Sequence, residues 1–159
     1  AIGQGYLSVT PLQIVRMVSA ICTGNLIKPR ILNSQEIEKI PAAVSQPTLR
    51  FLREAMHEAV LSGSVHQLNV RNFEVFAKTG TAQTCNLAKG KTLVSHLEHA
   101  WVAGFFSYHG QDPLAFAVLI ENAGSSAPAL TIVRQFLKGY DALMQQKLIA
   151  LVDKVTEKN

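Results

Sequence analysis

The stretch FEVFAKTGTAQT, Phe73 to Thr84, decides how the rest of the chain is read. It opens as an apolar run with aromatic and β-branched residues, the composition of a strand that buries a face. It then passes at once to Lys78, Thr79, Gly80 and Thr81. A lysine and two threonines around a glycine add nothing to a core. At the edge of a sheet they supply a fixed positive charge, two hydroxyls and a position without a side chain, where another molecule can lie against the strand. Strand side chains alternate with period two, so Thr79 and Thr81 are expected on one face with Gln83 next along it. Lys78, of opposite parity, would act from the strand end or through its reach. A carboxylate facing the threonines meets two hydroxyls, and the main chain of the same strand can pair with an extended peptide.

Working outward, Thr10-Pro11-Leu12-Gln13 carries a helix start: a capping threonine, proline at the first helical position and glutamine three residues on, flanked by Val9 and Ile14. Leu12, Val15, Val18, Ile21 and Cys22 recur at helical spacing, and Gly24 with Pro29 beyond it supplies a stop. Residues 25–44 read as a connector in which IKPRIL is a short extended piece. A second helix is expected from about Pro47 to Ser62, capped by Ser45, with Leu49, Leu52, Met56, Ala59 and Val60 on one face and Gly63 at its end. GSVHQLNVRN brings turn residues before the strand. The polar stretch after Gln83, TCNLAKGKTLVSHLEH, has no period and reads as a loop of the kind that lids a site. AWVAGFFSY (100–108) and LAFAVLIE (114–121), separated by HGQDP, predict an antiparallel hairpin. From Pro128 a helical spacing through Leu130, Val133, Leu137, Tyr140 and Met144 continues to Val152, with Ser126 as its cap.

Bulk properties restrict the classes. The 159 residues, 48% hydrophobic and 16% charged, suffice for one domain with a real core and exclude disorder. The net charge of +4 is spread from Arg16 to Lys158 without a cluster, which favours a solvated surface over a nucleic-acid stripe. Cys22 and Cys85 lack the spacing of a disulfide framework or a zinc site, and no apolar run reaches the ~18 residues that cross a bilayer. His96 and His99 form an HxxH without a surrounding ligand set and are read as a polar loop with a histidine capping a strand; His57, His66 and His109 are read as surface or turn residues. Trp101 is assigned to the core, and Gly3-Gln4-Gly5, which lacks the spacing of a phosphate loop, to a turn near the cleft. No cofactor is implied.

The residues also carry a resemblance. KTGT at 78–81 is one of three signatures of the serine acyl-transferases that include penicillin-binding proteins and class A β-lactamases, the others being S-x-x-K and a Ser-x-Asn motif. GQGYLSVTPLQ, KTGTAQ, HAWVAGFF, FAVLIEN and a helix after SSAPA follow in the order of the C-terminal half of a class B penicillin-binding protein, so the resemblance covers nearly the whole chain. The HAW strand start leans toward the elongation-type member, penicillin-binding protein 2. The resemblance implies an α+β fold, a three-stranded antiparallel sheet with two helices before the first strand and one long helix last, as part of a penicillin-binding-protein/serine β-lactamase-like domain. It implies a peptidoglycan D,D-transpeptidase on the periplasmic side of the cytoplasmic membrane. Its partners would be stem peptides, β-lactam antibiotics and the remainder of the parent domain.

Position by position, the resemblance gives Lys78 positive potential and hydrogen bonding toward a Ser-x-Asn serine and the bound anion. Thr79 and Thr81 would recognise the carboxylate, Gly80 would leave room for the substrate, and Gln83 would contact the peptide. The backbone N–H of Thr81 would be one of two oxyanion donors, the other belonging to the nucleophilic serine. No serine of the chain has lysine three positions on, and no Ser-x-Asn triplet occurs. The chain is therefore expected to hold part of a site, to be inactive alone, and to be a piece of a longer protein. A β-lactam-sensing receptor domain of the same fold, or a scaffold that kept the fold without the chemistry, stands as the alternative.

Overall fold

The computed structural model describes residues 7–83 and 98–156. The turn at Gly3-Gln4-Gly5, most of the expected lid loop, Cys85 and His96 lie outside them. Three strands form an antiparallel sheet in the order β3 (Phe73–Ala82), β4 (His99–Tyr108), β5 (Leu114–Ile120). Helix α1 (Pro11–Thr23) and helix α2 (Gln46–Leu61) precede it and helix α3 (Ala127–Thr156) follows, the α+β arrangement expected.

Alternation sorts the sheet into two faces. Val75 and Ala77 of β3, paired with Phe106 and Gly104, share a buried cluster with Ala100, Val102 and Phe106 of β4 and with Leu130, Val133 and Leu137 of α3. Phe76 and Phe105, also cross-strand partners, stack at 4.6 Å on the opposite face, where Val18 of α1 and Met56 of α2 cover them. Each large side chain withdrawn from water here contributes about 1.5–3 kcal/mol before chain entropy is subtracted. Helix α2 places Val60 in the first cluster and Met56 in the second, so it runs along the outer edge of β3. The α3 spacing continues to the C-terminus, but burial does not: Leu137 is buried, whereas Leu143 is 49% and Leu148 63% exposed, because the helix has run past the sheet.

The local signals act as read. The Thr10 side chain accepts from the Gln13 N–H while the Gln13 side chain accepts from the Thr10 N–H, and Gly24 closes α1 at φ 76°. Ser45 caps α2 by accepting from the Thr48 N–H. Two segments differ. The connector contains a small antiparallel pair, β1 (Asn25–Ile27) with β2 (Lys39–Pro41), of which IKPRIL supplies only Ile27. The Lys28 N–H still reaches the Glu38 carbonyl at 3.0 Å, and Pro29, which has no N–H, ends the ladder. The turn segment before β3 contains a single 3-10 turn, His66–Leu68, and the adjoining Val65 and its own Leu68 are fully buried in the α3-side core.

Candidate active site

Strand β3 is one edge of the described sheet, and its last residues carry the candidate site. In an antiparallel ladder the N–H and C=O of a residue point to the same side, and successive residues alternate sides. The Val75 carbonyl is bonded from outside the sheet by His57 Nδ1 at 3.1 Å, and the Phe73 N–H goes to the Val70 carbonyl outside it at 3.2 Å. The odd-numbered residues thus aim their backbone outward, and the same alternation turns the N–H and C=O of Thr79 and Thr81 to the outer edge.

Side-chain parity runs with it. Thr79 and Thr81 pair with Val102 and Ala100 and continue the face of Val75 and Ala77, while Lys78 and Gly80 pair with Ala103 and Trp101 on the other face. The exposed Lys78 folds back so that its ammonium donates to the Thr79 carbonyl at 2.9 Å, which brings the charge to the strand edge despite its opposite parity. The Thr79 hydroxyl lies 3.4 Å from that of Ser64, in the turn after α2. Gln83 is exposed and stands one residue beyond β3, so the strand register no longer fixes its face.

Beside these residues runs a groove of about 600 Å³ between α1, α2 and the sheet. Met17, Val18, Leu52, Met56, Trp101 and Ala103 give it apolar walls, and Lys78, Thr79 and Gly80 also line it. Trp101, assigned to the core from sequence, is half-buried on this wall instead, because the residue opposite it is Gly80 and the helices do not close over it. The site therefore joins an apolar channel, one ammonium, hydroxyls and outward backbone groups, a set suited to an extended peptide or amide that carries an anion.

A model of the penicillin-binding protein transpeptidase domain matches residues 1–138. The chain belongs to this family. Among curated relatives it is 29% identical to the peptidoglycan D,D-transpeptidase MrdA of Salmonella typhimurium over 86% of its own length and 25% of the relative's. It is 29% identical to the MrdA of Acinetobacter baumannii over 82% and 22%. The chain thus spans about a quarter of the length of these relatives. In fold it is similar to the D,D-transpeptidase domain of a peptidoglycan glycosyltransferase from Eggerthella lenta, with a TM-score of 0.61 at 22% identity over 83% of this chain and 33% of that one. The transpeptidase domain of Burkholderia pseudomallei penicillin-binding protein 3 gives 0.58 at 24% identity over 76% and 37%. The family and fold expected from KTGT and its flanks hold, and the MrdA relatives agree with the lean toward penicillin-binding protein 2.

Two residues in contact with β3 were not singled out from the sequence. His57, read as a surface or turn residue, is half-buried, packs on Phe76 with ring centroids 4.9 Å apart and planes tilted by 34°, and meets the Val75 carbonyl at the β3 edge. Its position one residue after Met56, itself packed on the far face, was the available signal. Ser64 lay in a segment read only as a turn. His99 accepts the Asn122 N–H at 3.1 Å through Nδ1, a strand-end role as expected.

Proposed function

We propose that this chain supplies the substrate-binding strand of a serine-type peptidoglycan D,D-transpeptidase, residues 1–159 being the C-terminal part of its catalytic domain. In that reaction a serine attacks the D-Ala-D-Ala amide, the terminal D-Ala leaves, and the acyl group passes to an amine on a neighbouring stem peptide. β-Lactams imitate the donor and trap the serine. The observation that carries the reading is the lysine-threonine-glycine-threonine run on an edge strand whose Thr79 and Thr81 backbone faces outward.

Each residue then has a task. The Thr81 N–H donates to the oxyanion that forms as the serine adds, and the Thr81 carbonyl holds the donor peptide in strand register. Thr79 and Thr81 hydroxyls donate to the terminal carboxylate. Lys78 supplies the charge that favours the carboxylate and the developing alkoxide. Gly80 keeps the strand surface low, and Gln83 meets the peptide beyond. The nucleophile, its lysine base and the Ser-x-Asn serine would come from the remainder of the domain, whose S-x-x-K helix would pack against the apolar groove beside Lys78. The complete protein works on the periplasmic face of the cytoplasmic membrane.

Intact mass after incubation with benzylpenicillin tests this. The chain by itself forms no adduct, and the complete domain carrying this sequence forms one on the serine of the other part. Lys78→Ala slows that acylation by about 100-fold, the scale of a lost electrostatic contact to the transition state. A stoichiometric adduct on a serine of this chain, or full-rate acylation without Lys78, would sink the reading.

A further inference from the structure

We infer that Ser64 is a positioning residue, which orients the Thr79 hydroxyl as a donor toward a carboxylate; the inference rests on the reading just given and extends it to a residue outside KTGT. Its hydroxyl oxygen stands 3.4 Å from that of Thr79, fifteen residues on in the chain. The backbone on both sides of Ser64 is held. A Cβ on Gly63 would come within 2.8 Å of the Ala59 Cα, so this glycine is pressed against the last turn of α2. The N–H groups of Gly63 and Val65 both reach the Ala59 carbonyl, each at 3.1 Å, and the His66 N–H returns to the Gly63 carbonyl at 3.2 Å. Val65 is fully buried in the core that the sheet shares with α3. Ser64, itself exposed, is therefore held beside Thr79 by hydrogen-bonded and buried neighbours.

The chemistry follows from the number of protons. Each hydroxyl has one proton and can accept as well, so the isolated pair has two orientations. A carboxylate only accepts. When it meets Thr79, the Thr79 proton must point to it, and the lone pair turned toward Ser64 is then filled by the Ser64 proton. The two bonds polarise each other in the same direction. Ser64 thus selects one of the two Thr79 orientations and strengthens it as a donor, without touching the ligand.

The test compares acylation of the complete transpeptidase domain by benzylpenicillin and by its methyl ester, which lacks the carboxylate. Ser64→Ala is expected to slow the acid about fivefold, the scale of one hydrogen bond, and to leave the ester rate unchanged. Ser64→Thr, which keeps the hydroxyl, restores the acid rate. In a Thr79→Ala background, Ser64→Ala has no further effect on the acid. Equal slowing of acid and ester, no slowing of the acid, or additive effects of the two substitutions would each overturn the role of Ser64 while leaving Thr79 in place. Should Thr79→Ala itself leave the acid-over-ester preference intact, the carboxylate is not read there, and the site assignment fails together with this one.

Discussion

The Val75 carbonyl oxygen lies 3.1 Å from His57 Nδ1, on the side of β3 turned away from β4. A carbonyl only accepts, so the ring nitrogen is the donor and the tautomer is fixed at that atom. The imidazole also rests on Phe76 at 4.9 Å. The first half of the strand edge thereby meets α2, and under the proposed function a pairing peptide would meet the Thr79–Thr81 end. His57→Phe keeps a ring on Phe76 and removes the donor. It is expected to lower the unfolding free energy by about 1 kcal/mol, as read from the urea midpoint. An unchanged midpoint would show that water replaces the imidazole without loss and that the edge is not held by this bond.

The two strand glycines have opposite requirements. A Cβ on Gly104 would stand 2.0 Å from the Phe76 carbonyl oxygen and 2.8 Å from the Ala77 Cα, so β3 and β4 cannot close around it. A Cβ on Gly80 meets the Trp101 Cβ at 3.4 Å, an ordinary contact. Gly104→Ala is expected to cost about 3 kcal/mol or to abolish folding. Gly80→Ala is expected to leave the melting temperature nearly unchanged and to act on β-lactam acylation. Equal thermal shifts for the two variants would contradict this.

Much of this was legible because the deciding signals are local. The capping box at Thr10 and Gln13, the Ser45 cap and the strand alternation of 73–82 involve residues a few positions apart, whose geometry the chain fixes by itself. What escaped was non-local. The pairing of Leu26 with Ile40 follows no turn signature, and the placement of Trp101 depends on Gly80 across the ladder and on how far α1 and α2 reach. Ser64 and Thr79 are neighbours only after α2 and β3 have packed. Lys78 illustrates the boundary: its parity was readable, but the fold of its side chain back onto the Thr79 carbonyl was not.

At the end of the sheet away from KTGT, Asp141 of α3 accepts from Asn72 Nδ2 at 3.1 Å, the Tyr108 hydroxyl at 2.8 Å and Gln145 Nε2 at 3.0 Å. The bond from Asn72, then those from Tyr108 and Gln145 with the nearby His109, hold its carboxyl below the ordinary 3.8. A lowered carboxyl stabilises the fold above the unfolded value, and that contribution is lost as pH falls through the lowered one. Burial first, then the bond and charge of Asp141, push the Tyr108 phenol above 10; its contribution is present below 10 and is lost as pH rises through the raised value. Calorimetry against pH should therefore show an acid limb below 3.8 that Asp141→Asn flattens, with a lower melting temperature at neutral pH. Tyr108→Phe should remove part of the alkaline limb. An acid limb identical in Asp141→Asn and the parent would place the titrating group elsewhere.

The apolar groove makes a prediction about the chain by itself. Met17, on its wall, is 50% exposed, Trp101 is half-buried beside it, and β5 has no partner on its outer side among the described residues. An open apolar channel and a strand edge both favour association. If the groove receives the S-x-x-K helix of the remaining domain, the chain alone should bind ANS and self-associate as its concentration rises. Met17→Glu, which places a carboxylate in the channel, should weaken both. Adding the serine-bearing part should compete for the same surface, lower ANS fluorescence and, where the two parts reassemble, restore acylation by benzylpenicillin. Sedimentation that shows a monomer over a wide concentration range, with no ANS signal, would mean that α1 and α2 close over the sheet in solution. The groove would then have no helix to receive.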